Sequence, residues 1–281
     1  MMLRFSKMHG AGNDFVVLDL RGGRAPVDAA LARALGDRHR GVGFDQLLTV
    51  EDADRAGVVA RYGIWNSDGS QARQCGNGAR CVAAWLVRDG AATDACFTLD
   101  SPAGAIEVER IGADRYALDM GRPEFAPARI PLSVPREDAH YFAEVEGEAF
   151  DFGACAVGNP HAVLLVEDVA RAPVGRWGPA LQQSGLFPEG VTVGFAPVLA
   201  PDRIALRVFE RGAGETLACG SGACAAAVVL ARQGRVGRRV TVQLPGGDLE
   251  IQWPADDQPL RMAGPAAFVF EGEFLPTDPC Q

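Results

Sequence analysis

Gln74-Cys75-Gly76-Asn77-Gly78-Ala79-Arg80 returns 144 residues later, counted from Cys75 to Cys219, as Ala218-Cys219-Gly220-Ser221-Gly222-Ala223-Cys224. Each copy runs into an apolar stretch, Cys81-Val82-Ala83-Ala84-Trp85-Leu86-Val87 and Ala225-Ala226-Ala227-Val228-Val229-Leu230-Ala231. Each stretch then meets a glycine, Gly90 and Gly234, the residue type that commonly ends a helix. A helix apolar on every side belongs in a core. The sequence therefore predicts two buried helices, each with a thiol at its N-terminal tip.

Other blocks repeat in the same order. Gly158-Asn159-Pro160-His161-Ala162-Val163-Leu164 echoes Gly12-Asn13-Asp14-Phe15-Val16-Val17-Leu18, and Gly194-Phe195 echoes Gly43-Phe44. Val208-Phe209-Glu210-Arg211 echoes Ile64-Trp65-Asn66-Ser67 at the offset of the thiols. So long a period means two duplicated domains, not a solenoid. The boundary is expected near Gly121-Arg122-Pro123, giving a half of residues 1–120 plus 266–281 and a half of residues 121–265. A closing strand around Ala267-Phe268-Val269-Phe270-Glu271 would rejoin the first half. Residues 3–20 read as strand, glycine turn, strand; residues 28–40 read as a helix with Asp28 as N-cap; residues 96–120 read as hairpins.

Composition narrows the class. An apolar fraction of 48% with 22% charged residues is that of a globular protein. A net charge of −9 argues against a nucleic-acid surface, which needs a basic patch. No apolar run is long enough to span a membrane, and the first residues lack the apolar core of a signal peptide. Seven cysteines, an odd number, suggest reduced thiols and a cytoplasmic setting. Lys7 is the only lysine, which argues against pyridoxal phosphate, whose chemistry needs a positioned lysine.

The first N–H groups of a helix lack internal partners and carry partial positive charge, so a carboxylate binds there and a thiolate is favoured there. Packing alone gives no reason to keep cysteine at the same point of two diverged halves. Cys75 and Cys219 are therefore the candidate catalytic pair, whereas Cys81, Cys96, Cys155, Cys224 and Cys280 read as small core fillers. A zinc site lacks the ligand spacing, and a dinucleotide loop lacks its third glycine. Two sulfurs on opposite faces of one carbon define a reaction: a thiolate removes a proton and a thiol returns one from the far side. Such a pair titrates jointly and yields a bell-shaped pH profile.

With these motifs stand His9-Gly10-Ala11-Gly12-Asn13-Asp14-Phe15, Gly43-Phe44-Asp45-Gln46, Asn66-Ser67-Asp68-Gly69 and Glu210-Arg211-Gly212-Ala213-Gly214-Glu215-Thr216. Together they resemble the diaminopimelate epimerase family over essentially the whole length. The resemblance implies an α+β fold of two pseudo-symmetric domains, each a sheet or barrel wrapped around a central buried helix. It implies interconversion of LL- and meso-2,6-diaminopimelate on the lysine and peptidoglycan route, with no cofactor and no metal, by a homodimer. By position, it implies Cys75 and Cys219 as the acid/base pair, with His161 and Glu210 beside the reacting centre. Gly76, Asn77, Gly220 and Ser221 would offer N–H groups to the reacting carboxylate, and Arg211 would hold the distal one. Asn13, Gln46, Asn66 and Asn159 would complete the polar lining, with Thr192 where the family usually carries asparagine. Threonine lacks an amide's two-ended reach, which loosens the expected hold on the distal end.

Three rival readings fit part of the sequence. A proline or hydroxyproline racemase shares the fold, but usually carries Asp-Arg-Ser-Pro where this chain has Glu215-Thr216-Leu217-Ala218. A thiol hydrolase or transferase would use one cysteine with His161 and leave the other tip unexplained. A binding protein would keep only the carboxylate clamp.

Overall fold

A computed structural model of the chain describes residues 2–145 and 147–275. Cys280, expected to fill core space, lies outside them. The backbone divides into two compact units: one runs through Leu118 and resumes at Gly264, the other is Asp119–Ala263.

The first unit opens with β1 (Leu3–Gly10) and β2 (Asn13–Asp19), an antiparallel hairpin closed by Ala11 and Gly12. Both turn residues have positive φ, 51° and 84°, the backbone of a tight hairpin whose twist matches its strands. Helix α1 (Ala29–Gly36) follows, with the Asp28 carboxylate accepting the Leu31 N–H as an N-cap. It is shorter than the sequence suggested. Asp37 takes the N–H groups of His39 and Arg40 on its side chain, and that local turn replaces the next helical turn. Then come β3 (Gln46–Glu51), β4 (Ala60–Asn66), helix α2 (Gly76–Asp89), β5 (Cys96–Ser101), β6 (Gly104–Arg110) and β7 (Arg115–Asp119). The sheet order is β7-β6-β5-β4-β3-β2-β1, and the terminal strand Ala267–Phe274 adds antiparallel to β1.

The second unit carries β8 (Tyr141–Val145), β9 (Glu148–Ala156), β10 (Pro160–Leu165), α3 (Val174–Gln183), β11 (Thr192–Ala196), β12 (Val198–Ala200), β13 (Arg203–Ala205), β14 (Arg207–Glu210), β15 (Gly214–Thr216), α4 (Gly220–Arg232), β16 (Arg239–Leu244), β17 (Gly247–Gln252) and β18 (Arg261–Pro265). One sheet has the order β15-β14-β11-β10-β9-β8; β12, β13, β16, β17 and β18 are neighbours in another. The duplication shows in the pairing. β1/β2 is antiparallel, β2/β3 parallel and β3/β4 antiparallel, and the same sequence of directions recurs in β9/β10, β10/β11 and β11/β14.

Each unit packs strands around one buried helix. α2 lies against β1, β2 and β3, and α4 against β9, β10, β11, β16 and β17. Cys224 through Leu230 are all buried, as are Asn77 through Ala84. Gly90 ends α2 in the left-handed conformation expected of it, with φ 84°. Gly78 permits close approach: a methyl group there would sit 3.0 Å from Leu48 Cδ2 and 3.4 Å from Phe15 Cε1. Gly222 stands likewise against Val208. Those glycines let the helix tips reach the sheets.

Candidate active site

Cysteine is the N-cap residue of both buried helices, Cys75 on α2 and Cys219 on α4. In the first unit the register brings Gln46 beside Phe15 on one side and beside Asn66 on the other. Asn13, Gln46 and Asn66 therefore share one end of adjacent strands. Gln46 Nε2 donates to Asn66 Oδ1 at 3.0 Å, and Asn66 Nδ2 donates to Ser70 Oγ at 3.0 Å. The Gly78 N–H donates to Cys75 Sγ at 3.3 Å, and Asn13 Oδ1 faces that sulfur at 3.8 Å. Asn77 Nδ2 reaches the same oxygen at 3.4 Å. Cys75 is half-buried.

The second unit repeats the plan with different chemistry. His161 pairs with Thr192 across parallel β10 and β11, and Glu210 closes β14, so the polar residues again gather at one strand end. His161 Nε2 lies 3.1 Å from Asn159 Oδ1, and Asn159 Nδ2 lies 3.5 Å from Thr192 Oγ1. Thr192 thus takes part in the polar row while fully buried. Burial, and secondarily the Arg211 guanidinium, bring the His161 pKa down to about 3, so the imidazole is neutral at physiological pH. A neutral imidazole with its Nε2–H on Asn159 can accept or position, but carries no charge. Arg211 is exposed and donates to the Glu189 carbonyl at 2.5 Å.

Cys219 Sγ lies 3.6 Å from Ser221 Oγ, and its thiol is pushed well above the ordinary range, first by burial and then by the Glu210 carboxylate, to which it is hydrogen-bonded. Thr216 Oγ1 donates to that carboxylate at 2.5 Å and holds it in place. Here the expectation of a thiol acidified by the helix field does not hold. Removing the sulfur from water and placing it against a carboxylate outweigh the partial charge of a helix tip. The two thiols differ: one faces a neutral amide oxygen, the other an acid.

The remaining cysteines divide. Cys81, Cys155 and Cys224 are buried; burial raises the Cys81 thiol to about 12 and the Cys155 thiol higher. Cys96 is exposed, contrary to the core role expected of it, because it opens β5 at the surface opposite Glu109. Among the described residues, no group of three or more His, Cys, Asp or Glu is placed to hold a metal ion, and no helix is long and apolar enough to cross a membrane. A cavity of about 720 Å³ in the first unit, lined among others by Arg24, Glu51, Arg61, Tyr62 and Ser101, contains none of the expected site residues.

The model of the family described as diaminopimelate epimerase matches residues 5–126 and 153–269. The chain belongs to the diaminopimelate epimerase family. A diaminopimelate epimerase of Xanthomonas euvesicatoria pv. vesicatoria (strain 85-10) is 62% identical over 273 residues, covering 97% of this chain and 96% of that protein. One from Xylella fastidiosa (strain M12) is 59% identical over 271 residues, 96% and 95% of the two chains. Solved structures extend the fold further than sequence does. A predicted epimerase from Pseudomonas aeruginosa superposes with a TM-score of 0.69 at 19% identity, over 98% of this chain and 100% of its own. A hydroxyproline epimerase from Agrobacterium vitis gives 0.68 at 16%, over 99% and 94%.

Diaminopimelate epimerase motifs had drawn attention to Asn13, Gln46, Asn66, His161 and Glu210. They had left three of their own members without a role. Asp45 Oδ2 accepts from Asn13 Nδ2, Thr216 holds Glu210, and Arg80 is wholly buried beneath Asn77. The signal was available: each is a polar residue inside a motif, Asp45 next to Gln46, Arg80 one helical turn from Asn77 and Thr216 three residues before Cys219.

Proposed function

We propose that this chain inverts an α-carbon of diaminopimelate, interconverting the LL and meso stereoisomers in lysine biosynthesis, with Cys75 and Cys219 as the acid/base pair. The observation that carries the chemistry is cysteine at the N-cap of both buried helices, in a chain about 60% identical to diaminopimelate epimerases over nearly its whole length. Burial, and then the Glu210 carboxylate, keep Cys219 protonated, so Cys219 is the resting acid and Cys75 serves as the base. Cys75 removes the α-proton as a thiolate, and Cys219 delivers its proton to the opposite face. In the reverse direction the roles exchange.

An amino-acid α-carbon is far less acidic than a thiol, so the developing charge on the substrate carboxylate must be stabilised. The backbone N–H groups of Gly76 and Asn77 on one helix, and of Gly220 and Ser221 on the other, supply that through the helix tips. Arg211 offers a planar fork to the distal carboxylate. Asn13, Gln46, Asn66, Asn159 and Thr192 line the site, and His161 contributes as a neutral group. Schiff-base chemistry is disfavoured because Lys7, the only lysine, is buried against Asp14 and the Gly43 carbonyl. Free thiols suit the reducing cytoplasm.

The test is incubation with LL-diaminopimelate in heavy water, with proline alongside. Deuterium is expected at the α-carbon of the first and not of the second. Exchange on proline alone would transfer the chain to the racemases, and exchange on neither would remove the reaction.

The functional form is a homodimer joined through the terminal strand. Ala267–Phe274 pairs with β1 along one edge and stands last in its sheet order. It exposes Phe268, Val269 and Phe270 in succession, 36, 57 and 49%. An open apolar edge invites a further strand, and the same strand of a second copy gives a closed two-fold contact. Val269→Arg is expected to halve the mass seen by sedimentation equilibrium; an unchanged mass would exclude this edge.

A further inference from the structure

An asparagine amide has two ends, and what faces one decides what the other presents. Asn13 Nδ2 donates to Asp45 Oδ2 at 2.8 Å. A carboxylate has no proton to offer, so only the NH2 end of Asn13 can face it. The carbonyl end must then point away, towards Cys75 Sγ at 3.8 Å and Asn77 Nδ2 at 3.4 Å. Asp45 is itself held from two sides. Its Oδ2 accepts the Asp14 N–H at 3.1 Å and its Oδ1 accepts Arg38 Nη2 at 2.9 Å. Arg38 also reaches Asp14 at 2.8 Å, and Lys7 closes the brace on the inner side of Asp14. Burial works to raise the Asp14 pKa, but Arg38 and Lys7 bring it down to about 2, so the brace is charged at working pH.

We propose that Asp45 is a positioning residue: through the amide of Asn13 it keeps a carbonyl oxygen, not an N–H, against Cys75, and so sets the pH at which that thiol ionises. This rests on the reading of Cys75 as an acid/base group. A carbonyl oxygen accepts from a thiol but repels a thiolate, whereas the Gly78 N–H at 3.3 Å and the helix tip favour the thiolate. A turned amide would place a second donor on the sulfur and make the thiolate too stable to be a strong base. Tyr62 and Cys81, which also interact with Cys75, are both raised by burial and neutral at working pH.

The test follows alkylation of Cys75 by iodoacetamide in the full-length protein between about pH 5 and 10, read by mass spectrometry on its peptide. Asp45→Ala frees the amide, and the midpoint is expected to fall by roughly one pH unit. In an Asn13→Ala background, Asp45→Ala should move it no further, because the effect passes through that amide. Mere loosening of the loop would raise the plateau rate without moving the midpoint. Asp45→Asn, nearly the same shape, should show a smaller shift in the same direction and serves if the alanine variant does not fold. An unmoved midpoint in these variants, or an equal shift with and without Asn13, overturns the proposal. Alkylation needs no turnover, so its failure is distinct from a failure of α-proton exchange.

Discussion

Cys75→Ala and Cys219→Ala are each expected to lower inversion by about 10³-fold or more, in the range of general acid–base contributions, yet to differ in what remains. Inversion needs two proton carriers, so neither variant should interconvert stereoisomers. Exchange needs one, because a base can return a solvent-derived proton to the face from which it took the first. In Cys219→Ala the surviving sulfur is half-buried and faces a neutral amide oxygen and a backbone N–H. In Cys75→Ala the surviving sulfur is buried against Glu210, which holds its proton on. Deuterium uptake into one stereoisomer near pH 7.5 should therefore persist in Cys219→Ala and be weaker in Cys75→Ala. Raising the pH should restore it in Cys75→Ala, since more of the Cys219 thiol ionises as pH approaches its raised pKa. Inversion surviving within tenfold in either variant would show that the second thiol is not a proton carrier. Equal exchange in both at every pH would show that Glu210 does not distinguish them.

The sequence made the repeat legible because it is written in residues with narrow tolerance. A glycine that must admit Leu48 and Phe15 at contact distance, or end a helix at φ 84°, cannot drift without changing the fold. Strand direction was not legible: that Asn13, Gln46 and Asn66 fall at the same end of neighbouring strands shows only once β2, β3 and β4 are paired in register. The state of the thiols was not legible. Helix-tip position argued for an acidic cysteine at both sites, and only the fold shows that Glu210 reaches Cys219 while an amide reaches Cys75. The role of Asp45 was hidden because its partner Asn13 lies 32 residues away. Cys96 was misread because a short strand end offers no pattern to tell a buried face from an exposed one.

Arg80 is where the two copies part, since Cys224 occupies the matching place in the second half, and the largest effect on stability is expected there. Its side chain is fully buried, with Nη2 donating to Asn77 Oδ1 at 2.7 Å and Nε to the Pro265 carbonyl at 3.2 Å. One guanidinium thus ties the tip of α2 to the segment entering the terminal strand. Arg80→Ala would leave a cavity, about 2–5 kcal/mol for a large buried side chain, and orphan a buried acceptor on Asn77, about 1–3 kcal/mol. Relief of the desolvated charge offsets part of this, so a net loss of about 3–5 kcal/mol is expected. Arg80→Met separates the two causes by refilling the space without the donors. If packing dominates, methionine recovers most of the urea midpoint. If the hydrogen bonds dominate, it recovers little. The second outcome is expected, because Asn77 is itself 2% exposed and water cannot replace the lost donor. Its Nδ2 also meets the Asn13 oxygen that faces Cys75, so Arg80→Met should disturb alkylation of that thiol while the Cys219 peptide behaves as before. A loss of less than about 1 kcal/mol in Arg80→Ala, the scale of an ordinary exposed substitution, would mean that the guanidinium merely fills space that its neighbours can close.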